Sequence, residues 1–208
     1  MKAEYLAAWY FRLNGFFTIT NFVLHPSRRG PQRTDADVVG VRFPYRSEFP
    51  DSPGGDVDEF TRFPDKPYFL IAEVKRSLCE LNGPWRDSNK QNIQAVLRDL
   101  GPFPQEQVET VAESLYERGI FNGPLHYCSL FCVGDIANTD LQKSYPHVPQ
   151  HTWEQVLGFL FERFQTYQDR KADHDSWDDI GKKLWNLWEG KTKNEFISEV
   201  RGQIGLIS

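Results

Sequence analysis

The chain is predicted to fold as an α/β domain with a mixed central sheet and a C-terminal helical extension, from three observations. Apolar residues recur at helical spacing over AEYLAAWYFRLNG, and three strand-like runs then follow one another. A fourth strand-like run, HYCSLFCVG, returns only after two helical segments. From Thr152 onward the pattern is wholly helical.

Each element has a local cause. In the first helix Leu6, Trp9, Tyr10 and Leu13 fall on one face, and Gly15 is placed to stop it. FFTITNFVL, aromatic and β-branched, reads as the first strand. After the basic loop HPSRRGPQR, the run DADVVGVRF reads as the second, with Asp35, Asp37, Val39, Val41 and Phe43 on one face. Residues 44–66, rich in Pro, Gly and Asp, read as a long loop. PYFLIAEVK is the third strand, and alternation puts Phe69, Ile71, Glu73 and Lys75 on a common face. Ser88 and Gln91 have capping-box spacing for a helix ending at Gly101-Pro102, and another helix runs from near Pro104 to Gly119. HYCSLFCVG is expected parallel to the third strand through a right-handed crossover. Trp153, Val156, Leu157, Leu160, Phe161 and Phe164 then form a broad apolar stripe, followed by helices in WDDIGKKLWNLWEG and NEFISEVRG. The expected division is a core over residues 1–150 and a helical extension over 151–208 packed on it.

At 208 residues, with 39% hydrophobic and 14% aromatic content, the composition is that of a globular protein. Neither a bilayer-spanning run nor a signal-peptide pattern is visible, so a soluble, cytoplasmic protein without membrane association is expected. Cys79, Cys128 and Cys132 match no zinc spacing and read as packing thiols. The net charge of -5 is concentrated in residues 48–65, which hold six acids against Arg62, so the rest of the chain is neutral overall. Within it residues 25–33 carry Arg28, Arg29 and Arg33 without an acid, a patch suited to phosphate. The tryptophans Trp177, Trp185 and Trp188 read as packing or as an interface, including that of a homodimer.

The chemistry is expected where DADVV meets AEVK. If the two strands are neighbours, Asp37 reaches Glu73 and Lys75, with Asp35 at the rim. Two carboxylates beside one lysine raise each other's proton affinity and resist desolvation. A hard divalent cation removes that cost, and Mg²⁺ accepts carboxylate, water and phosphate oxygens alike. Lys75 is suited to orient an attacking water and to offset transition-state charge. Asp35 reads either as a solvated strand-start acid or as a support to Asp37.

Asp37, the long loop, and Glu73-Val74-Lys75 closing an apolar strand resemble the PD-(D/E)xK nuclease superfamily, the restriction-endonuclease-like fold that includes Holliday-junction resolvases. The resemblance covers roughly residues 1 to 135, and Ala36 stands where the family's motif has a proline. It implies an αβββαβ core and a metal-dependent endonuclease acting on nucleic acid, most often DNA. It also implies Asp37 and Glu73 as ligands of Mg²⁺, with Mn²⁺ as substitute, and Lys75 as the catalytic lysine. Glu4 matches an acid that many members add from the first helix. Arg28, Arg29, Arg33, Arg76, Lys90 and Gln91 are then expected to contact the nucleic-acid backbone. The alternatives are a degenerate member that binds without cutting, and an interaction protein in which Asp37, Glu73 and Lys75 form a structural ion-pair network.

Overall fold

The computed structural model describes residues 1–25, 33–48, 55–168 and 177–206. Helix α1 (Ala3–Leu13) ends at Asn14 and Gly15, the latter at φ 86°, a left-handed conformation that glycine adopts without steric cost. The reversal launches β1 (Phe16–Leu24), which pairs antiparallel with β2 (Thr34–Arg42). β2 pairs antiparallel with β3 (Tyr68–Val74), all of whose residues are buried. Helices α3 (Asn92–Leu100) and α4 (Val108–Arg118) follow, α2 being the single turn Asp58–Thr61 inside the preceding loop. The chain then returns as β5 (Tyr127–Gly134), parallel to β3 as expected and equally buried. β4 (Ile120–Asn122) and β6 (Gln150–Thr152) share the other edge of β5, beside its first and last residues respectively. The result is an α/β fold around a six-stranded mixed sheet, completed by α5 (Thr139–Ser144), α6 (Trp153–Gln168), α7 (Asp179–Trp188) and α8 (Lys193–Gln203).

The sheet separates two apolar cores. On one side α1, α6, α7 and α8 converge on Phe16, Val38, Leu70, Ala72 and Val74, with Trp153, Phe164 and Phe196 at the centre. On the other, α3 and α4 cover Val39, Phe69, Ile71 and Leu130. All three cysteines are buried and free, as their packing role required. The C-terminal helices belong to the same core as α1, and the expected division at 150/151 falls inside β6, a strand of the sheet. No described helix is long and apolar enough to cross a membrane.

Two local expectations are corrected. Ser88 does not cap a helix: Asp87 takes that part by accepting from Asn89 N–H at 3.2 Å, and Gln91 at φ 51° separates the resulting turn from α3. The stretch 44–66 is not simply loop, because α2 drives Phe60 among the rings of Tyr10, Phe11, Phe16, Tyr68 and Phe131. Two acids of this stretch are ion-paired. Asp56 binds Arg42 at 2.9 Å, Arg46 at 2.5 Å and Arg163 at 3.1 Å, while Glu48 pairs with Arg46 and accepts from Tyr167 Oη at 2.8 Å.

Candidate active site

The site forms where β2 and β3 part. Their register runs from Arg42–Tyr68 to Val38–Ala72 and stops there. Beyond it β2 stays with β1, pairing Ala36 with Phe22 and Asp35 with Val23, while β3 stays with β5, pairing Glu73 with Cys132 and Val74 with Val133. Asp37 lies at the fork, and its Oδ2 accepts from the Val74 N–H at 2.7 Å, a side chain standing in for a ladder carbonyl. Opposite it in β1, Asn21 adopts φ 51°, a left-handed conformation that asparagine tolerates better than other side chains. Side-chain alternation reverses here: Ala36 packs toward α3 and α4, Val38 toward α1 and α6. Asp37 is thereby released from both cores and turned toward β3.

Glu73 is only 3% exposed and held by three donors. Lys75 Nζ donates to its Oε1 at 2.6 Å, Asn82 Nδ2 donates to the same oxygen, and Trp85 Nε1 donates to Oε2 at 2.6 Å. Lys75 Nζ also reaches Asn82 Oδ1 at 2.8 Å, so the ammonium is fixed between an acid and an amide. The Lys75 backbone is fixed as well: its N–H donates to Val133 O at 2.8 Å and its carbonyl accepts from Trp153 Nε1 at 2.9 Å. Asn82, Trp85 and Trp153 escape a sequence reading. The Asn-Gly-Pro of LNGPW signals a turn, the one local hint that the chain doubles back to the end of β3.

Electrostatics follow from this burial. Desolvation pushes the Glu73 carboxyl up to about 7; the Lys75 hydrogen bond opposes the rise and the nearby Asp37 charge adds to it. Asp37 is also raised, by burial first, against the Val74 N–H, with Glu4 and Asp35 pushing it further up and Lys75 opposing. Four acids thus act on one locus with a single lysine inside it.

Among the described residues no three His, Cys, Asp or Glu side chains stand where they hold one metal ion together. Glu4 therefore does not complete a ligand set with Asp37 and Glu73; α1 brings it within electrostatic range of Asp37 only. Mg²⁺ is commonly held by one or two carboxylates and several waters, so the pair Asp37 and Glu73, short of counter-charge, suits it.

The other expected residues surround this locus unevenly. Asp35 is exposed at the start of β2, and Arg33 is exposed beside it, near Tyr116, whose hydroxyl accepts from Ile93 N–H at 3.0 Å in the first turn of α3. Lys90 and Gln91 are exposed just before α3, with Lys90 3.9 Å from Asp87. Arg76 is exposed and lies near Gly205. Arg28 and Arg29 fall outside the described residues.

Comparison of the chain with protein-family models, with curated proteins and with solved structures finds no match, so the functional reading rests on the chemistry of Asp37, Glu73 and Lys75.

Proposed function

We propose that the chain is a Mg²⁺-dependent endonuclease with a restriction-endonuclease-like core, hydrolysing phosphodiester bonds of nucleic acid, DNA first among them. One observation carries the reading: at the fork between β2 and β3, Asp37 and a buried Glu73 with raised proton affinity meet around Lys75. Structural ion pairs do not require such an excess of acid over base. Asp37 and Glu73 would hold the ion, which when bound polarises phosphate and favours ionisation of water. Lys75, presented by a backbone hydrogen-bonded on both sides, positions the attacking water and offsets charge on the phosphate. Asn82 sets the direction of Lys75, and Trp85 that of Glu73.

Incubation with single-stranded, duplex and branched DNA and RNA in Mg²⁺, with EDTA as control, tests the proposal. Cleavage of at least one substrate that EDTA and Lys75→Ala both abolish is expected. Absence of cleavage across the panel in Mg²⁺ and Mn²⁺ overturns it.

A second reading has its own observation. Both oxygens of Glu73 already accept hydrogen bonds from Lys75, Asn82 and Trp85, as in a closed polar network. A degenerate nuclease-fold protein that binds nucleic acid without cutting would keep this arrangement, and metal-indifferent melting would favour it.

A further inference from the structure

β1 forms one edge of the sheet, and β4 and β6 form the other. The two edges differ in kind. β4 and β6 are three residues each, and shortness is one way in which a sheet keeps its edge from pairing with another chain. β1 runs for nine residues, FFTITNFVL, without a lysine, an acid or a proline to blunt it. From Phe16 to Val23 no backbone group bonds to any described residue outside β2, so alternate N–H and C=O groups face outward. An open groove of about 880 Å³ runs along this edge, walled on one side by Tyr5, Trp9 and Arg12 of α1.

Register puts Phe16, Thr18 and Thr20 on the face of the sheet that carries α1, and Phe17 and Ile19, opposite Val41 and Val39, on the face that carries α3 and α4. Those two helices leave this end of β1 uncovered. Phe17 is 69% and Ile19 50% exposed, and Phe43, 56% exposed, sets its ring 5.7 Å from that of Phe17. With Tyr5 they make four of the eight large apolar side chains that stand exposed among the described residues, a concentration that marks a contact surface. The charged groups that line the groove are already paired: Arg12 with Asp178 at 2.5 Å, and Arg46 with Asp56 and Glu48. They leave nothing to recruit an acidic or a basic partner. A chain of net charge -5 repels its own copy over most of its surface, but along this groove an identical surface meets no unpaired charge.

We propose that β1 pairs antiparallel with β1 of a second copy, continuing the sheet across a two-fold axis at Thr18. Asn21, at φ 51°, breaks the extended run, so residues 16–20 are the length available for pairing. Centred on Thr18, that length is self-complementary. Phe17 of each copy stands opposite Ile19 of the other, an aromatic and β-branched pair made twice on one face, and Thr18 stands opposite its own equivalent on the other face; both kinds of pair are favourable across antiparallel strands. A contact in which the same patch serves both copies closes at the dimer. The pairing does not depend on the nuclease reading; where both hold, each copy carries its Asp37 one strand in from the shared edge.

Analytical ultracentrifugation over a range of protein concentrations, with cysteine cross-linking beside it, tests the proposal. Wild type is expected to dimerise, and Ile19→Lys to stay monomeric at concentrations at which wild type is a dimer, with circular dichroism unchanged because the side chain is exposed. Thr18→Cys is expected to cross-link to its own copy under mild oxidation, since Cβ atoms directly opposite in an antiparallel pair lie about 4.5–5.5 Å apart, close to disulfide reach. Leu125→Cys, 70% exposed between β4 and β5, is the control expected not to cross-link, and the three native thiols are buried. A wild type that is monomeric throughout overturns the proposal. A dimer that Ile19→Lys leaves intact and Thr18→Cys does not trap also overturns it, and moves the contact to another surface such as the C-terminal helices. Equal cross-linking of Thr18→Cys and Leu125→Cys means random collision and overturns it too. The cleavage assay decides the nuclease reading separately from each of these outcomes.

Discussion

The Asp37 carboxylate accepts the Val74 N–H at 2.7 Å, joining two strands at the point where their ladder ends. The bond keeps β2 beside β3 while letting β2 follow β1 and β3 follow β5. It places one acid of the candidate site one residue from Glu73 and Lys75, and burial raises its proton affinity. Four predictions follow from the fork and its surroundings.

Asp37→Asn, Glu73→Gln and Lys75→Ala are each expected to lower cleavage in Mg²⁺ by about a hundredfold or more, with circular dichroism unchanged. Asn82→Ala is expected to cost less, about tenfold, and to move the midpoint of the pH–rate profile upward, since Glu73 loses a donor. Rates and pH profiles of the four variants check this, and full activity in any of the first three sinks the assignment.

Stability should depend on pH through Glu73. It binds its proton more tightly folded, at about 7, than at its ordinary value of 4.5. As pH rises the unfolded chain releases that proton first, so stability falls between those values and then levels off, by about 3 kcal/mol in all. Glu73→Gln lacks this loss. Chemical denaturation at pH 4.5 and pH 8 should show the variant gaining on wild type as pH rises, and a constant difference would contradict the burial of a charged Glu73.

Divalent cations should raise the melting temperature, equivalent to about 2.7 kcal/mol at a hundredfold excess over the dissociation constant. Asp37→Asn should melt above wild type in EDTA, because like-charge repulsion is relieved, and should lose most of the response to Mn²⁺. A destabilised Asp37→Asn and a metal-indifferent wild type would instead favour a structural network.

Asp56→Ala should destabilise the fold by about 3–5 kcal/mol, because it strips the buried Arg42 and Arg163 guanidinium groups of their common carboxylate. Asp58→Ala, two residues further on at the start of α2 and without such side-chain partners among the described contacts, is the matched control. Equal denaturation midpoints for the two variants would refute the network's structural role.

Sequence alone determined the elements whose cause is local. Helical spacing of Leu6, Trp9, Tyr10 and Leu13 located α1, β-branched and aromatic runs located β1, β2, β3 and β5, and the apolar stripe from Trp153 located α6. It also named Asp37, Glu73 and Lys75 as neighbours, on the assumption of regular strand alternation; the structure instead turns Asp37 toward β3 where the ladder ends and the alternation reverses. Only the tertiary structure decided what those groups touch. Asn82 and Trp85 reach Glu73 through a turn, Arg163 reaches Asp56 across 107 positions, and Trp153 reaches the Lys75 carbonyl across 78. The short strands β4 and β6 are likewise fixed by pairing with β5 rather than by any period of their own, being three residues each. The reason is physical: periodicity records which face of an element avoids water. The partner that satisfies a buried charge is selected by long-range closure of the chain, for which no local pattern carries a signal.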